Sequence, residues 1–140
     1  MDVADLVQAI ERCEPPAGGF HHASHLRVAW AYLSSEPSPD EAAARMASTL
    51  RRFAASVGQA EKYHHTITVF WIRCLAAERT TRPGATLEEV LATKPALLDK
   101  NLPLAFYSPE RLFGDDARAS WLEPDLRPLN AGRPSGPLLE

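Results

Sequence analysis

The chain has 140 residues, of which 15 are basic and 18 are acidic, so its formal net charge is −3. Hydrophobic residues make up 45% and charged residues 24%, which is typical of one globular domain with a core and excludes a disordered chain. The acidic balance argues against a nucleic-acid partner, and the absence of a long apolar run or a signal pattern predicts a cytoplasmic protein with no membrane partner.

The first half of the chain predicts three amphipathic helices. The first covers residues 3–13 and is followed by a run with two prolines and two glycines. The second begins near His21–Ser24 and continues to about Ser35. A capping-box pattern at Ser38, with proline at the first helical position, starts the third, which we expect to end at Gly58. Its inward-facing stripe consists of Ala43, Met46, Leu50, Phe53 and Val57.

A fourth helix is predicted over residues 59–79. The segment Thr66-Ile67-Thr68-Val69-Phe70 is β-branched and aromatic, and in isolation it would be typical of a strand. Apolar residues nevertheless recur at intervals of three and four from Tyr63 to Leu75, over more than two turns. That length favours a largely buried helix.

Shorter elements are predicted after the fourth helix. A capping box at Thr86 opens a short helix that Pro95 interrupts, and Ser108 starts one more helical turn that Gly114 closes. Residues 116–122 are expected to form a last short helix.

Four amphipathic helices joined by short loops predict an all-α, single-domain helical bundle. We expect this bundle to cover residues 1–124. The proline- and glycine-rich residues 125–140 are expected to form an extended or flexible C-terminal tail.

All five histidines lie between positions 21 and 65, in two clusters. On a helix His22 and His25 share the face of Leu26, so both imidazoles should point towards the core. In the second cluster His64 is in line with Thr68 and also faces inward. His21 and His65 are expected at the surface or as hydrogen-bond donors to the inward-facing groups.

Three inward-facing histidines from two helices predict a metal site formed by His22, His25 and His64. Imidazole is a common ligand of Zn, Fe and Cu, and a three-histidine site leaves a coordination position open for water or substrate. Tyr63 and Thr68 are the candidate catalytic residues, contacting ligands or substrate by hydrogen bonds. A full di-iron centre is discounted, because the second helix has no carboxylate on its histidine face and Glu61 alone does not supply the set.

Other interpretations of these residues remain open. Glu11, Glu61 or Cys13 could join the site, although a glutamate at the edge of a helix is more often solvated. Cys74 is more often a small core residue. The two cysteines form no C-x-x-C pair and cannot build a disulfide framework. Buried imidazoles can also be structural when they are hydrogen-bonded. Without a metal, a histidine–tyrosine pair could act as general acid and base.

The chain resembles a family of small, largely uncharacterised bacterial proteins. The resemblance rests on Phe20-x-His22-x-x-His25-Leu26, on Lys62-Tyr63-His64-x-Thr66-x-Thr68 and on Glu123-Pro124-Asp125-Leu126, and it covers nearly the whole chain except the tail. It singles out the same three histidines and implies no particular activity. It also implies a role for the C-terminal segment. We expect this segment to wrap over the bundle, either as a structural clasp or so that Tyr107 or Arg118 comes near the site.

The sequence therefore predicts a small metal-dependent enzyme with oxidative or hydrolytic/lyase chemistry on a small-molecule substrate. The alternative is a non-enzymatic module that binds a metal or a small ligand in the bundle. A third possibility is an interaction protein in which the histidines sense pH or simply pack.

Overall fold

The computed structural model describes residues 2–129 of the chain, and all of its regular elements are helical. The first three helices are α1 (Val3–Glu11), α2 (His22–Ser35) and α3 (Pro39–Ser56). The side chain of Ser38 accepts a hydrogen bond from the amide of Glu41 in the first turn of α3, in line with the predicted helix start. The side chain of Asp2 accepts one from the amide of Asp5 in the first turn of α1. The third helix ends before Gly58, whose φ of +73° is accessible to glycine at little cost.

The fourth predicted helix is broken. Residues Ala60–Lys62 form a 3₁₀ turn, Tyr63 and His64 have extended backbones, and α4 proper covers His65–Thr81. The prediction of one helix from residue 59 was therefore wrong at its start. The break has a local cause, because His64 serves as the N-cap of α4 and an N-cap residue has non-helical dihedral angles.

The core lies where α2, α3 and α4 pack against one another, with α1 lying across α2 and α3. Most of its side chains are aromatic or aliphatic. The largest of those with almost no exposed surface are Tyr32, Tyr107, Phe70, Ile10, Leu26, Ile72 and Leu75. This arrangement confirms the predicted all-α helical bundle.

The chain after α4 forms short helices that pack on the bundle. They are α5 (Leu87–Thr93), α6 (Pro109–Leu112) and α7 (Asp115–Ala119), with 3₁₀ turns at Pro95–Leu98 and Leu102–Ala105. Helix α7 lies against α4. The predicted capping box at Thr86 and the helix start at Ser108 are both present.

The C-terminal segment lies against α4 and the chain around residue 107, as a clasp would. Thr66 donates a hydrogen bond to the carbonyl oxygen of Ser120 at 2.7 Å and accepts one from the amide of Leu122 at 3.2 Å. The hydroxyl of Tyr107 donates to the carbonyl oxygen of Leu122 at 2.7 Å. Asp125 accepts from both the amide and the hydroxyl of Ser108.

Of the tail predicted over 125–140, residues 130–140 lie outside the described part of the chain. Residues 125–129 contain bends and no helix. Within residues 2–129, none of the helices combines the length and the apolar character that crossing a bilayer would need.

Candidate functional site

A cavity of about 550 Å³ opens at the end of the bundle where α2 and α4 begin and α3 ends. Its size is within the range of pockets that hold small organic molecules. Most of its wall is apolar, and four of its nine polar lining residues are histidines. The lining includes Phe20, Ala29, Met46, Leu50, Phe53, Ile67 and Trp71 on the apolar side, and His21, His22, His25, His64, Tyr63, Thr68, Lys62 and Lys100 on the polar side.

His22 is the first residue of α2 and is held in place on two sides. Its Nε2 lies 2.9 Å from the carbonyl oxygen of Leu97, and its ring centroid lies 4.5 Å from that of Trp71. Because a carbonyl oxygen only accepts hydrogen bonds, Nε2 donates, and in the neutral ring Nδ1 then holds the lone pair. The bond also ties the 3₁₀ turn Pro95–Leu98 to the cavity wall.

His25 is one helical turn further along α2, and its ring packs on that of Phe20 with centroids 4.2 Å apart. No hydrogen bond joins its ring nitrogens to any other residue in the range 2–129, and the ring borders the cavity. Burial, reinforced by the neighbouring His22, lowers the pKa of His25 to about 4. The imidazole is therefore neutral at pH 7, with one nitrogen that can donate and one that can accept.

His64 is buried at the N-terminus of α4, and both of its ring nitrogens are already bonded. Nδ1 accepts from the amide of Ile67 at 3.2 Å, and Nε2 donates to the carbonyl oxygen of Leu112 at 2.6 Å. The sequence placed this side chain inward by helical phase. In the structure His64 is not inside a helix, and its side chain points inward because it caps the N-terminus of α4. Burial lowers its pKa.

The three histidines predicted to bind a metal thus border one cavity. No three His, Cys, Asp or Glu side chains within residues 2–129 are arranged to hold a metal ion. His64 is also engaged elsewhere, because an imidazole whose lone pair accepts an amide hydrogen cannot at the same time give that lone pair to a metal.

The two predicted catalytic residues also line the cavity. The Tyr63 hydroxyl is hydrogen-bonded to Nδ1 of His65 at 2.8 Å, and burial raises its pKa. The hydroxyl of Thr68 donates to the carbonyl oxygen of His64 at 2.8 Å, one turn back in its own chain. His65 is half-buried, and its ring is the hydrogen-bond partner of the Tyr63 hydroxyl.

His21, expected at the surface, is exposed but also touches the cavity. Its Nε2 donates to the carbonyl oxygen of Gly18 at 2.7 Å. The ring lies so close to Gly19 that a Cβ there would be 2.9 Å from Nε2, and Gly19 has a φ of +92°. Both facts require glycine at this turn.

The remaining candidates do not line the cavity. Glu11 accepts from the Tyr32 hydroxyl at 2.6 Å and pairs with Arg45 at 2.8 Å, so its role is structural. Glu61 is exposed, and Cys74 is half-buried with its pKa raised to about 12 by burial.

Cys13, Tyr107 and Arg118 are likewise absent from the cavity lining. Tyr107 is fully buried. Arg118 is close enough to His64 for its charge to lower the histidine pKa.

Sequence reasoning missed two parts of the site. Met46 and Leu50 were expected simply to fill the core, yet each presents part of its side chain to the cavity. No pattern in the sequence indicated that Lys100 belongs to the site, because it lies in an exposed loop 36 residues after His64 in the sequence. Lys62 was noted only as part of a motif.

Comparisons of the chain with protein families, with curated proteins and with solved structures give no match.

Proposed function

We propose that the protein binds a small, mainly apolar organic molecule in this cavity, with His22 and His25 as its hydrogen-bonding contacts. The observation that carries the proposal is the state of His25. Its ring lines an apolar cavity, is neutral at pH 7, and has no hydrogen-bond partner among the described residues. The ring nitrogens of His25 remain accessible from the cavity, so they can form hydrogen bonds with a bound molecule.

The rest of the wall supports the same proposal. Phe20, Trp71 and Leu50 offer aromatic and aliphatic surface, and apolar pockets with a few oriented polar groups are typical of small-molecule sites. The Nε2–H of His22 is fixed by Leu97, so its Nδ1 is held as an acceptor. A ligand would therefore meet an acceptor on His22 and either a donor or an acceptor on His25.

The test uses the neutral fluorophore N-phenylnaphthylamine, which brightens when it enters an apolar site. Ala54→Phe places a ring in the cavity and should abolish binding. Ala55→Phe is the matched control, because Ala55 is the next residue of α3, is exposed and does not line the cavity. Equal binding by both variants, or no binding by the unmodified protein, would overturn the proposal.

The metal-dependent enzyme predicted from the sequence is the second candidate. It is favoured by His22, because a metal-binding histidine commonly donates its other N–H to a backbone carbonyl, as His22 does to Leu97. Participation of His64 would require one of its two hydrogen bonds to open. Divalent Zn, Fe or Cu would there supply an open position for water or substrate.

Elemental analysis of protein purified without an affinity tag tests this second candidate, with His25→Ala as the comparison. Stoichiometric metal that falls in the variant would support it. Metal well below stoichiometry, or equal metal in both proteins, would overturn it and leave the ligand-binding proposal standing.

A further inference from the structure

We infer that the ligand is an amphipathic carboxylate whose apolar body fills the cavity and whose charged head lies at the mouth, between Lys62 and Lys100. The inference rests on the proposed binding function and adds the chemical class of the ligand. It follows from the charges around the cavity and from the way burial changes along its wall.

The charges around the cavity are all of one sign. Lys62 and Lys100 both line it, although the chain has only three lysines and carries a net charge of −3. No aspartate or glutamate within residues 2–129 lines it. The two lysines come from separate segments, the 3₁₀ turn Ala60–Lys62 and the loop after Pro95–Leu98, so the chain fold brings them to the same cavity.

These two lysines also differ from the third. The ammonium group of Lys94 pairs with Glu78 at 2.9 Å, whereas Lys62 and Lys100 form no salt bridge with any of residues 2–129. Their sequence neighbours Glu61 and Asp99 are exposed and do not line the cavity. Two cations that form no ion pair within the described chain would attract an anionic group and orient a ligand on entry.

Burial divides the cavity into two ends. Met46, Leu50 and Trp71 are buried and form an apolar inner wall, whereas Lys62 and Lys100 are exposed. A molecule with an apolar body and one terminal charge matches this division. A carboxylate fits better than a doubly charged phosphate, because the cost of bringing charge beside apolar walls rises with the charge and because no arginine lines the cavity within the described chain.

The test measures displacement of N-phenylnaphthylamine by three compounds that share one apolar body: naphthylacetate, naphthylacetamide and naphthyl phosphate. At low salt we expect the carboxylate to bind about fivefold more tightly than the amide, which is the effect of two exposed charge pairs. Added salt should reduce this ratio towards one, because exposed charges are screened, while binding of the amide stays unchanged.

Variants assign the preference to the lysines. The double variant Lys62→Gln with Lys100→Gln should bind both compounds equally. Lys62→Arg with Lys100→Arg keeps both charges and should keep the preference for naphthylacetate. Both lysines are exposed, so we expect the variants to fold as the natural protein does.

The outcomes separate the two proposals. Equal displacement by naphthylacetate and naphthylacetamide, or tighter binding of the phosphate, would overturn the carboxylate assignment while leaving a small-molecule site. A preference that survives the glutamine variants would overturn the role of the lysines. Failure of the fluorophore and of all three compounds to bind would overturn the proposed function itself.

Discussion

Nε2 of His64 donates a hydrogen bond to the carbonyl oxygen of Leu112 at 2.6 Å, while Nδ1 of the same ring caps helix α4 by accepting from Ile67. One side chain therefore fixes both the start of a core helix and the position of α6 relative to it. Because the ring also borders the cavity, the stability of the fold and the shape of the site depend on the same residue.

Substitution of His64 should separate its two roles. His64→Ala loses the cap and leaves the Leu112 carbonyl without this partner, so we expect the free energy of unfolding to fall by about 2–4 kcal/mol. His64→Asn can still cap the helix and should cost about 1 kcal/mol less than the alanine variant. Urea denaturation of the three proteins measures the difference. Equal losses in both variants would contradict the capping role.

Removal of the Thr66 hydroxyl should loosen the C-terminal clasp. Thr66→Val keeps the volume of the side chain but loses both hydrogen bonds to residues 120 and 122, for an expected cost of about 2 kcal/mol. Amide hydrogen exchange should rise at residues 120–126. Thr80→Val is the control, because the Thr80 hydroxyl bonds only to its own helix and is exposed. Unchanged exchange at 120–126 in Thr66→Val would mean that packing alone holds the clasp.

The bundle itself was predictable because its signals are local. Ser38, Thr86 and Ser108 start helices by capping, and Gly58 ends one, so side chains and backbone within four residues decide these boundaries. The start of α4 was not predictable from apolar periodicity. The pattern from Tyr63 onwards fits a continuous helix, and only the capping bond of His64, which involves a histidine in an unusual role, interrupts it.

The site was predictable in part. His22 and His25 lie on one helix, so helical phase alone correctly groups them, and the structure places His64 on the same cavity. The hydrogen-bond partners of these rings could not be predicted. Leu97 and Leu112 contribute backbone carbonyl oxygens from segments distant in sequence. Every residue has a backbone carbonyl, so the residue type does not indicate which one accepts a hydrogen bond.

The pair of Lys94 and Glu78 should contribute measurably to stability. The carboxylate of Glu78 is buried at the end of α4, where it also bonds Arg82 at 3.3 Å. Lys94→Met removes one of its two cationic partners, and we expect a loss of about 1–2 kcal/mol, between the values for exposed and buried pairs. Lys62→Met is the matched control and should change the unfolding free energy by less than about 0.5 kcal/mol. Similar thermal stability of the two variants would show that Arg82 alone satisfies the carboxylate.

The low pKa of His25 should make the folded state less stable in acid. Its pKa is about 4 in the folded chain and 6.5 for an unperturbed histidine, so the folded ring resists a proton that the unfolded ring accepts. The contribution of His25 to stability is therefore complete above about pH 6.5 and is lost as the pH falls towards 4, by about 3 kcal/mol in total.

The aspartate and glutamate side chains of the protein titrate in the same pH range. Comparison of the natural protein with His25→Phe therefore isolates the contribution of the histidine to the pH dependence. Phenylalanine can keep the packing on Phe20 and does not titrate. The unfolding free energy of the natural protein, measured by denaturation between pH 7 and pH 4, should fall more steeply than that of the variant. Parallel curves would contradict an imidazole that is neutral at pH 7 in the folded state.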